Sequence, residues 1–264
     1  MAVVNPELDG GKPFDWGKAS ADYAKYRDIY PEMFYRQILD AGLCVQGQTV
    51  LDLGTGTGVL PRNLYRYGAQ FVGIDLSPEQ IEQARRLAKQ AGMHIDFFAC
   101  PAESVDFPDH TFDVVTACQC FFYFDAKKLL PNLRRMLRPG GRLAILYMAW
   151  LPGEDPIARA SEQLVLRYNP SWSGGGETRH PIELPPETEM YFTVEQESLF
   201  DLKIPFTRES WNGRIKACRG IGASLSGDEI AGFEREHRAL LAACAPEEFQ
   251  ILHYAAITVL KRRV

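Results

Sequence analysis

No stretch of this sequence approaches the ~20 consecutive apolar residues that a bilayer-spanning helix needs, so a helical membrane protein is not expected. The opening residues, MAVVNPELDGGKPFDWG, lack the basic-then-apolar order of a secretory leader, and the reading is cytoplasmic. Positive charge is also short. Lys and Arg number 29 against 34 Asp and Glu, for a net charge of -5. The only basic cluster, Lys261-Arg262-Arg263, suits a solvated chain end, so little is available to follow a phosphate backbone and no nucleic-acid partner is expected. The six cysteines, Cys44, Cys100, Cys118, Cys120, Cys218 and Cys244, are scattered. Cys118 and Cys120 form a CxC with neither a second pair nor a nearby histidine, which excludes a zinc pattern and leaves reduced thiols. No metal is expected.

What is present is the composition of a folded globule, 46% hydrophobic and 24% charged. After a Gly- and Pro-rich start, Tyr23, Tyr26 and Tyr30 recur at helical spacing, and Met33, Phe34, Ile38 and Leu39 predict a second helix ended by Gly42. A regular alternation follows. Strands are expected at 49–53, 70–74, 94–99, 112–118 and 142–149, with helices at about 59–67, 77–90 and 126–137 between them. Ser77-Pro78 is a strong helix start, serine as cap and proline in the first turn. Such alternation implies a parallel sheet with helices on both faces and right-handed crossovers, its ligand site at the carboxyl ends of the strands. Beyond Trp150 the rhythm breaks. A helix is expected at 156–167, a strand region at 191–204, helices at 210–225 and 227–243, and a last strand at 249–260.

The segment Val50-Leu51-Asp52-Leu53-Gly54-Thr55-Gly56-Thr57-Gly58 carries the chemical argument. Glycines at a strand end let backbone approach a ligand closely, and the next helix offers free N–H groups. The spacing is GxGxG rather than GxGxxG, since Val59 stands where the last glycine would fall, and no Lys-Ser/Thr follows to make a phosphate loop. Asp52, beside the loop, would repel a pyrophosphate and attract a cation. S-adenosylmethionine carries an ammonium and a sulfonium, so an acid here is electrostatically sensible. Asp75 ends the next strand, where a carboxylate accepts both hydroxyls of an adenosine ribose. It could instead cap a helix, but Ser77 already serves there.

Residues 49–150 resemble the class I S-adenosylmethionine-dependent methyltransferases, and within them the group acting on small molecules (type 11). The stretches that carry the resemblance are VLDLGTGTG, GIDLSPEQIEQAR, PAESVDFPDHTFDVVTACQCFFYFD and LRRMLRPGGRLAI, in the family's order. The resemblance implies a Rossmann-like, doubly wound, mostly parallel seven-stranded α/β sheet with an N-terminal helical lid and an insertion after the fifth strand. A single domain over 1–264 is expected: lid 1–42, cofactor-binding core 43–150, substrate-side insertion 151–215, and C-terminal helices with the last strand 216–264. It implies that Gly54, Thr55 and Gly56 line the methionine and ribose portion of the cofactor, with Asp52 near its amino group. Asp75 would take the ribose hydroxyls, Leu76 the adenine face, Ala102 and Glu103 the adenine edge. Cys118 and Gln119 would face the methionyl group. Tyr23 would lie against the sulfonium and Arg27 pair with the carboxylate, although Tyr23 and Tyr26 equally suit an ordinary amphipathic helix packed on the sheet.

No catalytic residue is assigned. In-line transfer from a sulfonium, leaving S-adenosylhomocysteine, needs a base only when the acceptor is protonated. Relatives often read QAFHWFD where this chain has Gln119–Asp125 with Phe122 and Tyr123, which removes an obvious base. Phe122, Tyr123, Tyr26, Trp211 and Arg214 are the candidate contacts to a small-molecule acceptor, and His180 could reach the same pocket. Trp211, Arg214, Ile215 and Cys218 share a helical face, which suits a core stripe as well. The DNA amino-methylation signature Asn/Asp-Pro-Pro-Tyr is absent. A non-catalytic, cofactor-binding sensor or assembly protein of the same fold is the alternative, and the oligomeric state is left open.

Overall fold

The structure, a computed structural model, describes residues 3–263. Helices α1 (Ser20–Tyr26) and α2 (Glu32–Asp40) lead into β1 (Thr49–Leu53), α3 (Val59–Leu64), β2 (Gln70–Asp75), α4 (Pro78–Gln90), β3 (Asp96–Ala99) and β4 (Phe112–Cys118). Then come α5 (Ala126–Met136), β5 (Leu137–Trp150), α6 (Pro156–Tyr168), α7 (Thr188–Tyr191), β6 (Phe192–Thr207), α8 (Arg208–Lys216), α9 (Gly227–Cys244) and β7 (Glu248–Arg262). The strands form one seven-stranded sheet in the order β3-β2-β1-β4-β5-β7-β6. β1 pairs in parallel with β2 and β4, β2 with β3, and β4 with β5. This is the mostly parallel, Rossmann-like arrangement expected. Strand order reverses between β1 and β4, the point in such sheets where a crevice opens for a ligand.

The chain divides into two compact units. The first comprises Pro31–Met148, His180–Phe200 and the chain from Ala255 on; the second comprises the chain up to Tyr30, Ala149–Arg179 and Asp201–Tyr254.

In the first unit the central strands are apolar on both faces, as parallel strands covered by helices must be. Leu51, Leu53, Val115 and Ala117 are buried among Leu129, Leu130, Leu133 and Met136 of α5. On the other side Ile81, Ala84 and Ala88 of α4 pack with Phe97. Helix α4 starts as its sequence dictates: the Ser77 hydroxyl accepts from Gln80 N at 3.3 Å, with Pro78 in the first turn. Strand β5 begins at Leu137 rather than Arg142. Leu137 pairs with Phe112, the intervening residues bulge out of register, and pairing resumes at Arg142 with Val114.

In the second unit Asp155 caps α6, accepting from Ile157 N and Ala158 N at 3.0 Å each. Reciprocal Thr207–Ser210 and Ser226–Glu229 boxes start α8 and α9. Helix α8 stops at Lys216, well short of the expected 225. Gly222 folds back so that its N–H donates to Lys216 O at 3.0 Å, closing the end in turns. Helix α1 likewise ends at Tyr26, so Tyr30 does not share a helix with Tyr23 and Tyr26. The ring of Tyr26 occupies the space where Gly213 lacks a side chain; a Cβ there would fall 2.4 Å from it. Only glycine lets α1 and α8 approach this closely.

Candidate functional site

In the first unit, β1 hands over to three glycines in the left-handed region: φ is 56° at Gly54, 55° at Gly56 and 73° at Gly58. Residues with a side chain are strained there. The loop is stitched to the end of β2, with Thr55 N donating to Ile74 O at 2.8 Å and Gly56 N to Asp75 Oδ2 at 2.9 Å. The turn after β4 leans across it. A Cβ at Gly54 would meet Cys120 Cβ and Sγ at 2.8 Å, and the Cys120 thiol donates to Leu53 O at 3.1 Å.

Two carboxylates flank this bare backbone. Asp75 is half-buried and accepts from Gly56 N through Oδ2 and from Ser77 N through Oδ1, each at 2.9 Å. Each oxygen keeps one accepting direction in reserve. Burial raises its pKa, against the pull of those two N–H donors. Asp52 is 2% exposed. The β1–β4 register sets it opposite Thr116, whose hydroxyl donates to Oδ1 at 2.6 Å. Burial drives the Asp52 carboxyl up to about 7; the hydroxyls of Thr116 and Thr55 oppose this, and the charge of Asp75 adds to it. Among the described residues neither aspartate is paired with a lysine or arginine. The Thr57 hydroxyl at the same loop is buried and has no hydrogen-bonding partner there either. A glycine turn with two acids and no counter-ion suits a cationic ligand that also offers hydroxyl donors.

The other candidates of this unit gather nearby in sequence and fold. Leu76 follows Asp75 and is half-buried. Ala102 is buried in the short turn Ala102–Ser104, and Glu103 accepts from Asp125 N at 2.9 Å, tying that turn to the start of α5. Cys118 closes β4 opposite Leu146. Gln119 has φ 66°, a strained value for a side-chain-bearing residue; its N–H donates to Leu146 O at 2.8 Å and its amide to Met148 O. Phe122 is 52% exposed, its ring 4.4 Å from that of Tyr123. His180 lies in the same unit with its ring 6.1 Å from Tyr147.

Tyr23, Tyr26, Arg27, Trp211 and Arg214 belong to the second unit. Trp211 is fully buried, donates to Ser161 Oγ at 2.9 Å, and packs at 4.9 Å from Phe206 and 5.5 Å from Trp150. That is a core position. Tyr26 donates to Glu209 Oε1 at 2.8 Å. The Arg27 guanidinium lies 4.7 Å over the Tyr23 ring, and that of Arg214 lies 4.8 Å over Trp150.

Residues 51–145 match the methyltransferase domain family. A demethylmenaquinone methyltransferase of Thermus thermophilus is 40% identical over 114 residues, 42% of this chain and 52% of that protein. A ubiquinone biosynthesis O-methyltransferase of Cereibacter sphaeroides is 32% identical over 133 residues, 50% of this chain and 54% of that protein. The matched segment lies within the first unit and contains the glycine loop and both aspartates. The chain spans about half the length of the curated relatives it matches. The fold of this chain recurs in the YcgJ protein of Bacillus subtilis, with a TM-score of 0.52 and 21% identity over 89% of this chain and 100% of that one. Among its described residues no helix is long and apolar enough to cross a membrane.

Two residues of the candidate site were given no such role in the sequence reading. Thr116 holds Asp52, and the alternation of parallel strands could have paired them once the register was known. Cys120 fills the space over Gly54, and the CxC spacing gave no hint of it.

Proposed function

We propose that this chain transfers the methyl group of S-adenosylmethionine to a small-molecule acceptor. The observation that carries the reading is the pair of aspartates without a counter-cation, set on either side of the three left-handed glycines. A buried acid lacking a partner is costly, and here a cationic nucleoside would relieve the cost. When bound, the cofactor supplies a methyl group on a positively charged sulfur leaving group. The chain's part is to bind, orient and exclude water.

In this reading the free accepting directions of Asp75 take the two ribose hydroxyls, while Gly56 N and Ser77 N hold its carboxylate in place. Leu76 covers the adenine, and Ala102 with Glu103 meets its edge. Asp52 supplies negative potential beneath the loop for the ammonium, and Gly54, Thr55 and Gly56 admit the methionyl chain. Cys118 and Gln119 border it, the strained backbone of Gln119 fixing the direction of the turn after β4. Phe122 and Tyr123, in the same unit as the glycine loop, are the proposed acceptor side. Phe122 is already presented to solvent. Trp211 serves by supporting its neighbours, since it is wholly enclosed.

Calorimetric titration with S-adenosylhomocysteine tests the reading. Asp75→Ala removes two charge-assisted bonds to the ribose and should weaken binding about 10- to 100-fold. Asp75→Asn, which keeps one accepting oxygen for the loop, should fall between. Unchanged affinity in both folded variants would remove the basis for the assignment.

A further inference from the structure

Strand order lays the site of the first unit out along one edge of the sheet, β2-β1-β4-β5. Asp75 closes β2, the glycine loop follows β1, and Cys118 closes β4 opposite Leu146 of β5. Neighbouring strands run ~4.8 Å apart, so the end of β5 lies about 10 Å from the loop, one strand beyond Gln119. Gln119 grips β5 on both sides of Tyr147. Its N–H donates to Leu146 O at 2.8 Å and its side-chain amide to Met148 O. That grip holds Gln119 at its strained φ of 66°. In the reading above, Asp75 takes the ribose and the glycines admit the methionyl chain, so the next strand along, β5, is where an acceptor would stand.

A cluster of rings occupies that position. Tyr147 is half-buried, and the Phe122 ring meets it edge-on, 6.1 Å away with the planes at 80°. Tyr123 lies 4.4 Å from Phe122, and the His180 ring lies 6.1 Å from Tyr147. All four residues belong to the unit that holds the glycine loop. A single exposed phenylalanine is ordinary on a protein surface. Phe122 differs because the other phenylalanines of its turn face inward. Phe121 is buried, and Phe124 comes within 3.5 Å of where a Gly54 Cβ would stand. The turn thus gives one ring to the core and one to the loop, and leaves the third 52% exposed against Tyr147.

Ring planes that meet near a right angle offer a flat ligand one stacked and one edge-on contact, both favoured by aromatic quadrupoles. The His180 Nδ1 lies 2.8 Å from Pro181 O. A carbonyl only accepts, so Nδ1 carries the hydrogen and Nε2 is the basic nitrogen of the neutral ring. A protonated amine would be repelled by the cationic sulfur of the cofactor, whereas an ionising hydroxyl is attracted to it.

We infer that the methyl acceptor is a flat aromatic ring bearing an ionisable hydroxyl, seated between Phe122 and Tyr147, with His180 taking the hydroxyl proton. The inference rests on the methyltransferase reading above and deepens it by naming the acceptor class. An oxygen lone pair forms the new O–C bond as the C–S bond breaks, and the sulfur keeps the pair of the broken bond. The proton passes to the His180 imidazole and then to water. Tyr147 and His180 fall outside the matched residues 51–145, where a feature particular to one acceptor belongs.

The test is transfer of labelled methyl from S-adenosylmethionine to catechol, 4-hydroxybenzoate and 2-naphthol, with benzylamine and cyclohexanethiol as rivals. Methylation of at least one phenol is expected, faster than that of either rival. Phe122→Ala, at an exposed position, should raise KM for that phenol about fivefold or more with kcat little changed, and Phe122→Tyr should restore it. His180→Gln should lower kcat about tenfold or more at neutral pH. The loss should shrink as pH rises and the phenol ionises unaided, a recovery that a merely packing residue would not show. S-adenosylhomocysteine affinity should stay within about twofold in both variants. The inference is overturned if the parent binds S-adenosylhomocysteine but methylates no phenol, or if a rival outpaces all three. It is also overturned if folded Phe122→Ala keeps its KM, or if the loss in His180→Gln is the same at every pH. Failure of the parent protein to bind S-adenosylhomocysteine at all would instead sink the methyltransferase reading.

Discussion

Asp52→Asn separates what the buried acid costs the fold from what it gives the ligand. Burial raises the Asp52 carboxyl from an ordinary value to about 7. A carboxyl whose folded pKa lies above its unfolded pKa favours the folded state most when protonated. Its contribution is complete below about pH 4 and is lost as pH rises through 7. Three units correspond to up to about 4 kcal/mol. Urea unfolding of the parent should therefore lose stability between about pH 4 and pH 7 relative to Asp52→Asn, whose amide oxygen can still accept from Thr116.

The ligand should reverse this slope. An ammonium held over the loop would gain from the ionised form, by about 3 kcal/mol were the two charges roughly 6 Å apart at an effective dielectric near 20. Binding S-adenosylhomocysteine below pH 7 should then expel a proton, and affinity should rise with pH up to about 7. Asp52→Asn should bind up to roughly 100-fold more weakly at pH 8 and show no such rise. Calorimetry at pH 6.5 in phosphate and in a buffer of larger ionisation enthalpy reads the proton directly. Equal heats in the two buffers, with affinity flat from pH 5.5 to 8, would refute the electrostatic argument.

Two further outcomes concern stability. Gly54→Ala combines a left-handed φ of 56° with a Cβ 2.8 Å from Cys120 Sγ, and should lower stability by about 1–3 kcal/mol. Adding Cys120→Ala should recover the steric part but not the backbone part, read by urea midpoints. His237 is fully buried between Asn212 Oδ1 and Ser161 Oγ, 3.0 Å from each, and burial lowers its pKa to about 4. A histidine with a depressed folded pKa stabilises the fold above its unfolded pKa and loses that contribution as pH falls through the folded one. Stability should fall between pH 6.5 and 4 by up to about 3 kcal/mol, and His237→Gln, weaker at pH 7, should show a shallower fall in the same window.

The alternating half of the chain was legible because its signals are local. Short apolar strands, a serine-proline helix start at Ser77 and glycines after Leu53 and Tyr67 each fix their own element, and β1 to β4 fell within two residues of expectation. The second half resisted where tertiary contacts decide. Nothing local ends α8 at Lys216; Gly222 does so by folding back on it. Leu137 joins β5 because Phe112 lies beside it, a partner 25 residues earlier in the chain. The site was read in the same proportion. Asp52, Asp75 and the glycines announce themselves by motif, whereas Thr116 and Cys120 matter through strand register and a turn that crosses the loop. Arg214 was visible as a candidate acceptor contact and as one member of a helical stripe. Its lack of a partner is a property of the packed molecule and leaves no mark in composition or spacing.

The charges left unpaired point to chemistry in a way that the paired ones do not. Arg179 lies between Glu154 and Asp201, and Arg219 is buried against Asp9 at 2.7 Å; each is explained by the protein alone. Among the described residues, Asp52 and Asp75 pair with no cation, and Arg27 and Arg214 pair with no acid. A fold under selection for stability alone would replace such groups with apolar residues of similar volume, at little cost or with a gain. Buried or half-buried charges left uncompensated in this way suit a ligand that completes them. The acids of the glycine loop suit a cation bearing hydroxyls, so Asp75→Asn should weaken S-adenosylhomocysteine in calorimetry while leaving the urea midpoint little changed.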